Sequence, residues 1–106
     1  MDRIETYEQF WTFYVREHSN SVCRALHFTG TSLALASLVL GTTLAPWWFA
    51  AAPFAGYGFA WIGHFAFQKN RPATFKYPWW SLRADFRMYR LMWMGSMGAE
   101  VQRAVS

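Results

Sequence analysis

At 106 residues, with 54% hydrophobic and 21% aromatic side chains, the chain is a single domain carrying more apolar surface than a private core of this size takes up. Charged residues are 15% of the total and the net charge is +4, gathered before residue 25 and after residue 68. The lone Cys23 excludes an internal disulfide, and the basic residues, which carry no nucleic-acid motif, point to anionic lipid headgroups rather than nucleic acid.

Residues 2–19 read as an amphipathic helix. Tyr7, Phe10, Trp11, Tyr14 and His18 share one face, with Glu5, Glu8, Gln9 and Arg16 elsewhere. The face is aromatic, which suits a helix lying in the membrane interface or packed on the apolar segment that follows. The opening MDRIETYEQF lacks the basic and apolar regions of a cleaved signal peptide, so membrane entry is expected from the later segment. Ser19, Asn20 and Ser21 break the helix and supply N-caps for the next.

From Ala25 to Gln68 there is no Asp, Glu, Lys or Arg. About 20 apolar residues cross the hydrocarbon, so this stretch predicts two crossings, 22–44 and 48–68, turned at Ala45 and Pro46. In the first, His27, Gly30, Ala34, Ser37, Gly41 and Leu44 recur at alternating steps of three and four; in the second, Ala52, Gly56, Ala60, His64 and Gln68 recur at steps of four. Small residues let membrane helices approach closely, so the two stripes are expected to face each other. Arg24, Lys69, Arg71 and Lys76 flank the hairpin on one side, which predicts that both termini are cytoplasmic.

Residues 69–80 form a basic, proline-punctuated loop, and 82–104 a second amphipathic helix with Ser81 as its N-cap. Leu82, Phe86, Tyr89, Trp93, Met97 and Val101 make its apolar face, while Arg83, Arg87 and Arg90 make a headgroup-facing basic one. The expected fold is therefore all-α: an integral membrane helical hairpin of two spanning helices, flanked by N- and C-terminal amphipathic interfacial helices, with 1–106 a single membrane domain.

An ionisable residue inside a membrane segment is costly and is a functional candidate by default. His27 and His64 are expected at one depth, and a first helix folded back through residues 19–21 adds His18, giving three nitrogens suited to Fe, Zn, Cu or Ni. The alternative is that these histidines only hydrogen-bond water or backbone near the interface. Glu17 or Asp85 is placed to complete or orient such a site, and Gln68 and Asn70 to hydrogen-bond a bound ligand. Arg24, Arg71 and Lys76 ring the mouth, where they suit a lipid carboxylate or simply set topology. No phosphate loop, nucleophile elbow, paired-cysteine motif or desaturase histidine box is present, and no catalytic side chain is singled out.

His18-Ser-Asn, Arg24-Ala-Leu-His27-Phe-Thr-Gly30-Thr, Gly56-Tyr-Gly-Phe-Ala-Trp-Ile-Gly-His64-Phe and Lys69-Asn-Arg-Pro72-Ala-Thr-Phe-Lys-Tyr-Pro78, followed by Ser81-Leu and Asp85, resemble short bacterial members of the membrane 2-hydroxy-fatty-acid dioxygenase-like family. The resemblance implies Fe(II) held by His18, His27 and His64, and oxidative shortening of a 2-hydroxy fatty acid by one carbon. Arg24, Gln68, Asn70, Arg71 and Asp85 are expected to support such a site or face its substrate. Gln68 departs from the glutamate that many relatives carry, which weakens any carboxylate role there. Two other readings compete: a b-type haem held by His27 and His64, and a non-catalytic, lipid-interacting structural hairpin.

Overall fold

The structure, a computed structural model, describes residues 4–106. The described residues are all-α: α1 (Tyr7–Arg16), α2 (Ser21–Thr43), α3 (Trp48–Ile62), α4 (Pro78–Trp93) and α5 (Met97–Val105). A π-helical turn, Gly63–Gln68, continues α3, and a 3-10 turn, Ala73–Phe75, precedes α4. The first two residues of the helix expected over 2–19 lie outside the described residues.

Local chemistry sets the helix ends. Thr6 caps α1 by accepting from the Gln9 N–H at 3.2 Å. Asn20 caps α2, its Oδ1 accepting from the N–H groups of Val22 at 2.9 Å and Cys23 at 3.1 Å. Pro78 occupies the first turn of α4, where its missing N–H costs nothing. That start leaves Ser81 inside the helix and buried, not at the N-cap where the sequence suggested it. The expected helix over 82–104 is two helices, because Gly95 at φ 72° ends α4 and breaks the pattern before α5.

The long α2 and α3 form an antiparallel pair whose small residues face each other, with Gly30, Ser37 and Gly41 buried on α2 and Ala52 and Ala60 on α3. A Cβ added to Gly30 would stand 2.8 Å from the Ala55 carbonyl oxygen and 2.9 Å from Phe59 Cβ, so only glycine permits this backbone approach. The other sides of the pair are apolar and exposed, including Leu33, Leu38, Val39, Phe54, Ile62 and Phe65. Among the described residues one helix, α2, is long and apolar enough to cross a membrane, and only 22% of its most apolar stretch is buried. The second expected span differs because its α-helical pattern stops at Ile62 and gives way to the wider π turn.

The hydrophobic core lies outside this pair, in a cap where α1, α4 and α5 bury Phe10, Trp11, Tyr14, Val15, Ala84, Met88, Met97 and Ala104. The aromatic face of α1 therefore packs within the protein. Arg83 and Arg87 are not simply turned toward headgroups either: the Arg83 guanidinium lies 3.9 Å above the Tyr7 ring and that of Arg87 4.1 Å above Trp11. Trp11 donates its indole N–H to Glu100 at 2.9 Å, and Arg16 donates to the Ala104 carbonyl at 2.7 Å, which fastens α5 to α1. The cap thus fixes the C-terminal end of α1 against the open end of the α2–α3 pair.

Candidate metal centre

Three histidines meet where the cap joins the pair. His18 follows the end of α1, His27 lies nearly two turns into α2, and His64 stands at the start of the π turn; all three are buried. Their ring centroids are 4.5 Å apart for His18 and His27, 4.4 Å for His18 and His64, and 4.9 Å for His27 and His64. The planes stand at 80–88° to one another, so each ring presents an edge to its neighbours.

Hydrogen bonds fix which nitrogen faces inward. His18 Nδ1 lies 2.7 Å from the Tyr14 carbonyl oxygen and His27 Nδ1 lies 2.9 Å from that of Cys23. A carbonyl only accepts, so both Nδ1 atoms carry the proton and donate. His64 Nδ1 donates to Asn70 Oδ1 at 2.6 Å, and the orientation of that amide is set because Asn70 Nδ2 donates to the Glu17 carbonyl at 3.0 Å. Each Nε2 is therefore left with a lone pair. Burial, with His27 and His64 adding to it, pushes the His18 pKa well down, which keeps its ring neutral.

The Nε2 atoms of His18 and His27 stand 3.1 Å apart. With both Nδ1 protons committed, no hydrogen lies between them, and two facing lone pairs in a buried site repel. A shared cation removes the conflict. At metal–nitrogen bonds of about 2.0–2.1 Å, two imidazoles in one coordination sphere stand about 3.0–3.4 Å apart, so the spacing suits one ion. The donor set fits a metal, and the acceptors on each Nδ1 are the outer partners that hold ligand imidazoles in place. Cys23 completes the group of potential ligands, all within 4.8 Å of one another. Its Sγ approaches His27 from the Nδ1 side at 3.9 Å, the edge already engaged, and a Cβ on Gly63 would sit 3.1 Å from it. The thiol lies at the margin of the set as a small packing residue.

The remaining candidates fall into distinct places. Asn70 orients His64. Gln68 does not reach the imidazoles: its Oε1 accepts from the Asn20 N–H at 2.7 Å and its Nε2 donates to Ser19 Oγ at 2.9 Å, clamping the α1–α2 turn. Arg24 clamps the same turn, one guanidinium nitrogen donating to the His18 and Ser19 carbonyls at 2.8 Å each. Arg71 is exposed on the loop and does not line the groove described below. Neither Glu17 nor Asp85 joins the ligand group. Asp85 instead accepts from the Tyr14 hydroxyl at 2.5 Å, and burial pushes its carboxyl up to about 7 although that bond opposes the shift. Burial and the adjacent Asp85 together push the Tyr14 phenol well above its ordinary range.

From the imidazoles an apolar groove of about 190 Å³ runs between α2, α3 and α4, past Ala34, Leu35 and Leu38 on one wall and Ala52, Pro53 and Gly56 on the other. Tyr14, Ser81 and Asp85 line its polar end with the histidines. Tyr14 stacks on His18 at 4.0 Å, a residue the sequence signalled only by its place four positions earlier on the same face.

A family model described as 2-hydroxy-palmitic acid dioxygenase Mpo1-like matches residues 4–97. The chain belongs to the Mpo1-like family. The match takes in all three histidines, Asn70, Ser81 and Asp85, so the groove and its polar end are built wholly from the matched region. No curated protein and no solved structure matches this member of the Mpo1-like family.

Proposed function

We propose that the protein is an Fe(II)-dependent, dioxygenase-like membrane protein that shortens 2-hydroxy fatty acids or related lipids by one carbon. The observation that carries this reading is the 3.1 Å contact between two unprotonated imidazole nitrogens at the head of an apolar groove. Family membership supports the substrate class and the choice of iron. His18, His27 and His64 would hold the metal, and a bound ferrous ion supplies the redox chemistry with O2 that such a reaction requires.

The chain's own residues supply the setting. Backbone carbonyls and Asn70 hold the Nδ1 protons outward, so the rings neither rotate nor change tautomer. The groove takes the acyl chain against Leu35, Leu38 and Pro53, keeping water from the head of the substrate. The exposed apolar sides of α2 and α3 supply the lipid-facing surface, and the run Trp48–Gln68, charge-free through its π turn, serves as the second crossing. Arg24, Lys69, Arg71 and Lys76 at one end put both termini in the cytoplasm. A haem between His27 and His64 has no room, because the three imidazoles close on one another and the helices touch at Gly30.

The test is anaerobic purification of the full chain, iron quantification in wild type and His64→Ala, and O2 uptake with 2-hydroxypalmitate. Near-stoichiometric iron and substrate-dependent uptake in the wild type alone are expected. Absence of bound metal after reconstitution sinks the enzyme reading and leaves the structural hairpin, which also predicts an unchanged lipid profile for His27→Ala.

A further inference from the structure

Ser81 is buried, and among the described residues its Oγ has no hydrogen-bond partner. A serine inside a helix commonly returns its hydroxyl to the carbonyl one turn back, here that of Tyr77, and this one does not. It lines the groove instead. Asp85 lies one turn further along α4 on the same face and lines the groove too. Among the described residues its carboxylate receives one hydrogen bond, from Tyr14, so accepting capacity is left over.

We infer that Ser81 and Asp85 form a second polar subsite, which receives a hydroxyl group on the ligand head and so selects a hydroxylated lipid acid over its unsubstituted counterpart. An unpaired buried hydroxyl is unfavourable, and a ligand group that pairs with it recovers the loss. An alcohol meets both residues at once: its O–H donates to Asp85 and its oxygen accepts from Ser81. A carboxylate head satisfies only half of the pair: it accepts from the Ser81 hydroxyl but brings no hydrogen for the ionised Asp85 carboxylate to accept. Tyr14 sets the position, since its ring stacks on His18 while its hydroxyl reaches Asp85. The subsite therefore stands beside the imidazoles, where the polar head of a lipid acid lies, and not at the apolar end lined by Leu38 and Pro53. A site built to hydrogen-bond a hydroxyl rejects the analogue that lacks it far more strongly than an apolar pocket does.

The inference rests on the lipid-acid reading above, and its test separates the two. Equilibrium dialysis of the full chain in detergent, with labelled 2-hydroxypalmitate and palmitate, is compared among wild type, Ser81→Ala and Asp85→Asn. Bound metal and melting temperature are measured alongside. A wild-type preference for the hydroxy acid that falls at least tenfold in both variants, with metal content kept and Ser81→Ala melting no lower than wild type, is the expected result. A preference that survives both substitutions overturns the subsite while leaving the lipid-acid reading intact. Equal binding of the two acids by wild type also overturns it, and binding of neither overturns both.

Discussion

His64 Nδ1 donates to Asn70 Oδ1 across 2.6 Å, while the other end of the Asn70 amide donates to the Glu17 carbonyl at 3.0 Å. One side chain thus sets the tautomer of a proposed metal ligand and ties the π turn to the end of α1. Losing such an outer partner typically lowers metal affinity about 10–100-fold. Asn70→Ala is expected to weaken Co(II) or Fe(II) binding by that order in a competition titration with a chelator, with helix content unchanged by circular dichroism. Unaltered affinity would show that His64 is held by packing alone.

Gln68→Glu is expected to leave metal stoichiometry unchanged. Gln68 faces Asn20 and Ser19, and a glutamate there still accepts from the Asn20 N–H and from the serine hydroxyl. Metal analysis of the purified variant decides it; a gain or loss of an ion would mean that this position reaches the site.

Gly30→Ala places a methyl against the α3 backbone, which cannot yield as a side-chain tip would. Overpacking of this kind costs about 1–3 kcal/mol. Gly58→Ala is the control, because a Cβ there meets nothing within 4 Å. Better helix propensity makes that change neutral or stabilising by up to about 1 kcal/mol. Thermal unfolding in one detergent compares the two; equal melting temperatures would show that α2 and α3 do not touch at Gly30.

Asp85 titrates in the neutral range. Burial raises its folded-state pKa from the ordinary carboxyl range to about 7, so the fold favours the protonated form. Its contribution to stability is fully present below about pH 4, where the unfolded chain also holds the proton, and is lost as pH rises through about 7. The melting temperature of wild type is expected to fall from pH 5 to pH 8 relative to Asp85→Asn, whose amide does not titrate. Parallel profiles for the two proteins would contradict this.

The meeting of the three histidines was legible because polar residues in an apolar stretch are conspicuous. The charge-free run from Ala25 to Gln68 frames His27 and His64, and the break at Ser19 to Ser21 lets His18 fold back beside them. The small-residue stripes reported a close helix approach for the same reason, since glycine at Gly30 has few other uses in a long apolar helix. What escaped were features set by hydrogen-bond geometry. The π turn has no period of its own in the sequence, and Gln68 and Arg24 look like site residues until their partners on the α1–α2 turn are seen. Ser81 read as a cap because serine favours helix starts, but Pro78 begins the helix one turn earlier. Gly95 hid the second break, because one glycine in a long amphipathic pattern does not reveal a positive φ.

His18 comes from the cap, whereas His27 and His64 come from the α2–α3 pair. The candidate ion site is consequently a seam between two packing units of one domain, closed by the docking of the cap on the pair. Occupancy should rivet the units together, so that a chelator loosens the joint of the molecule before it melts either half.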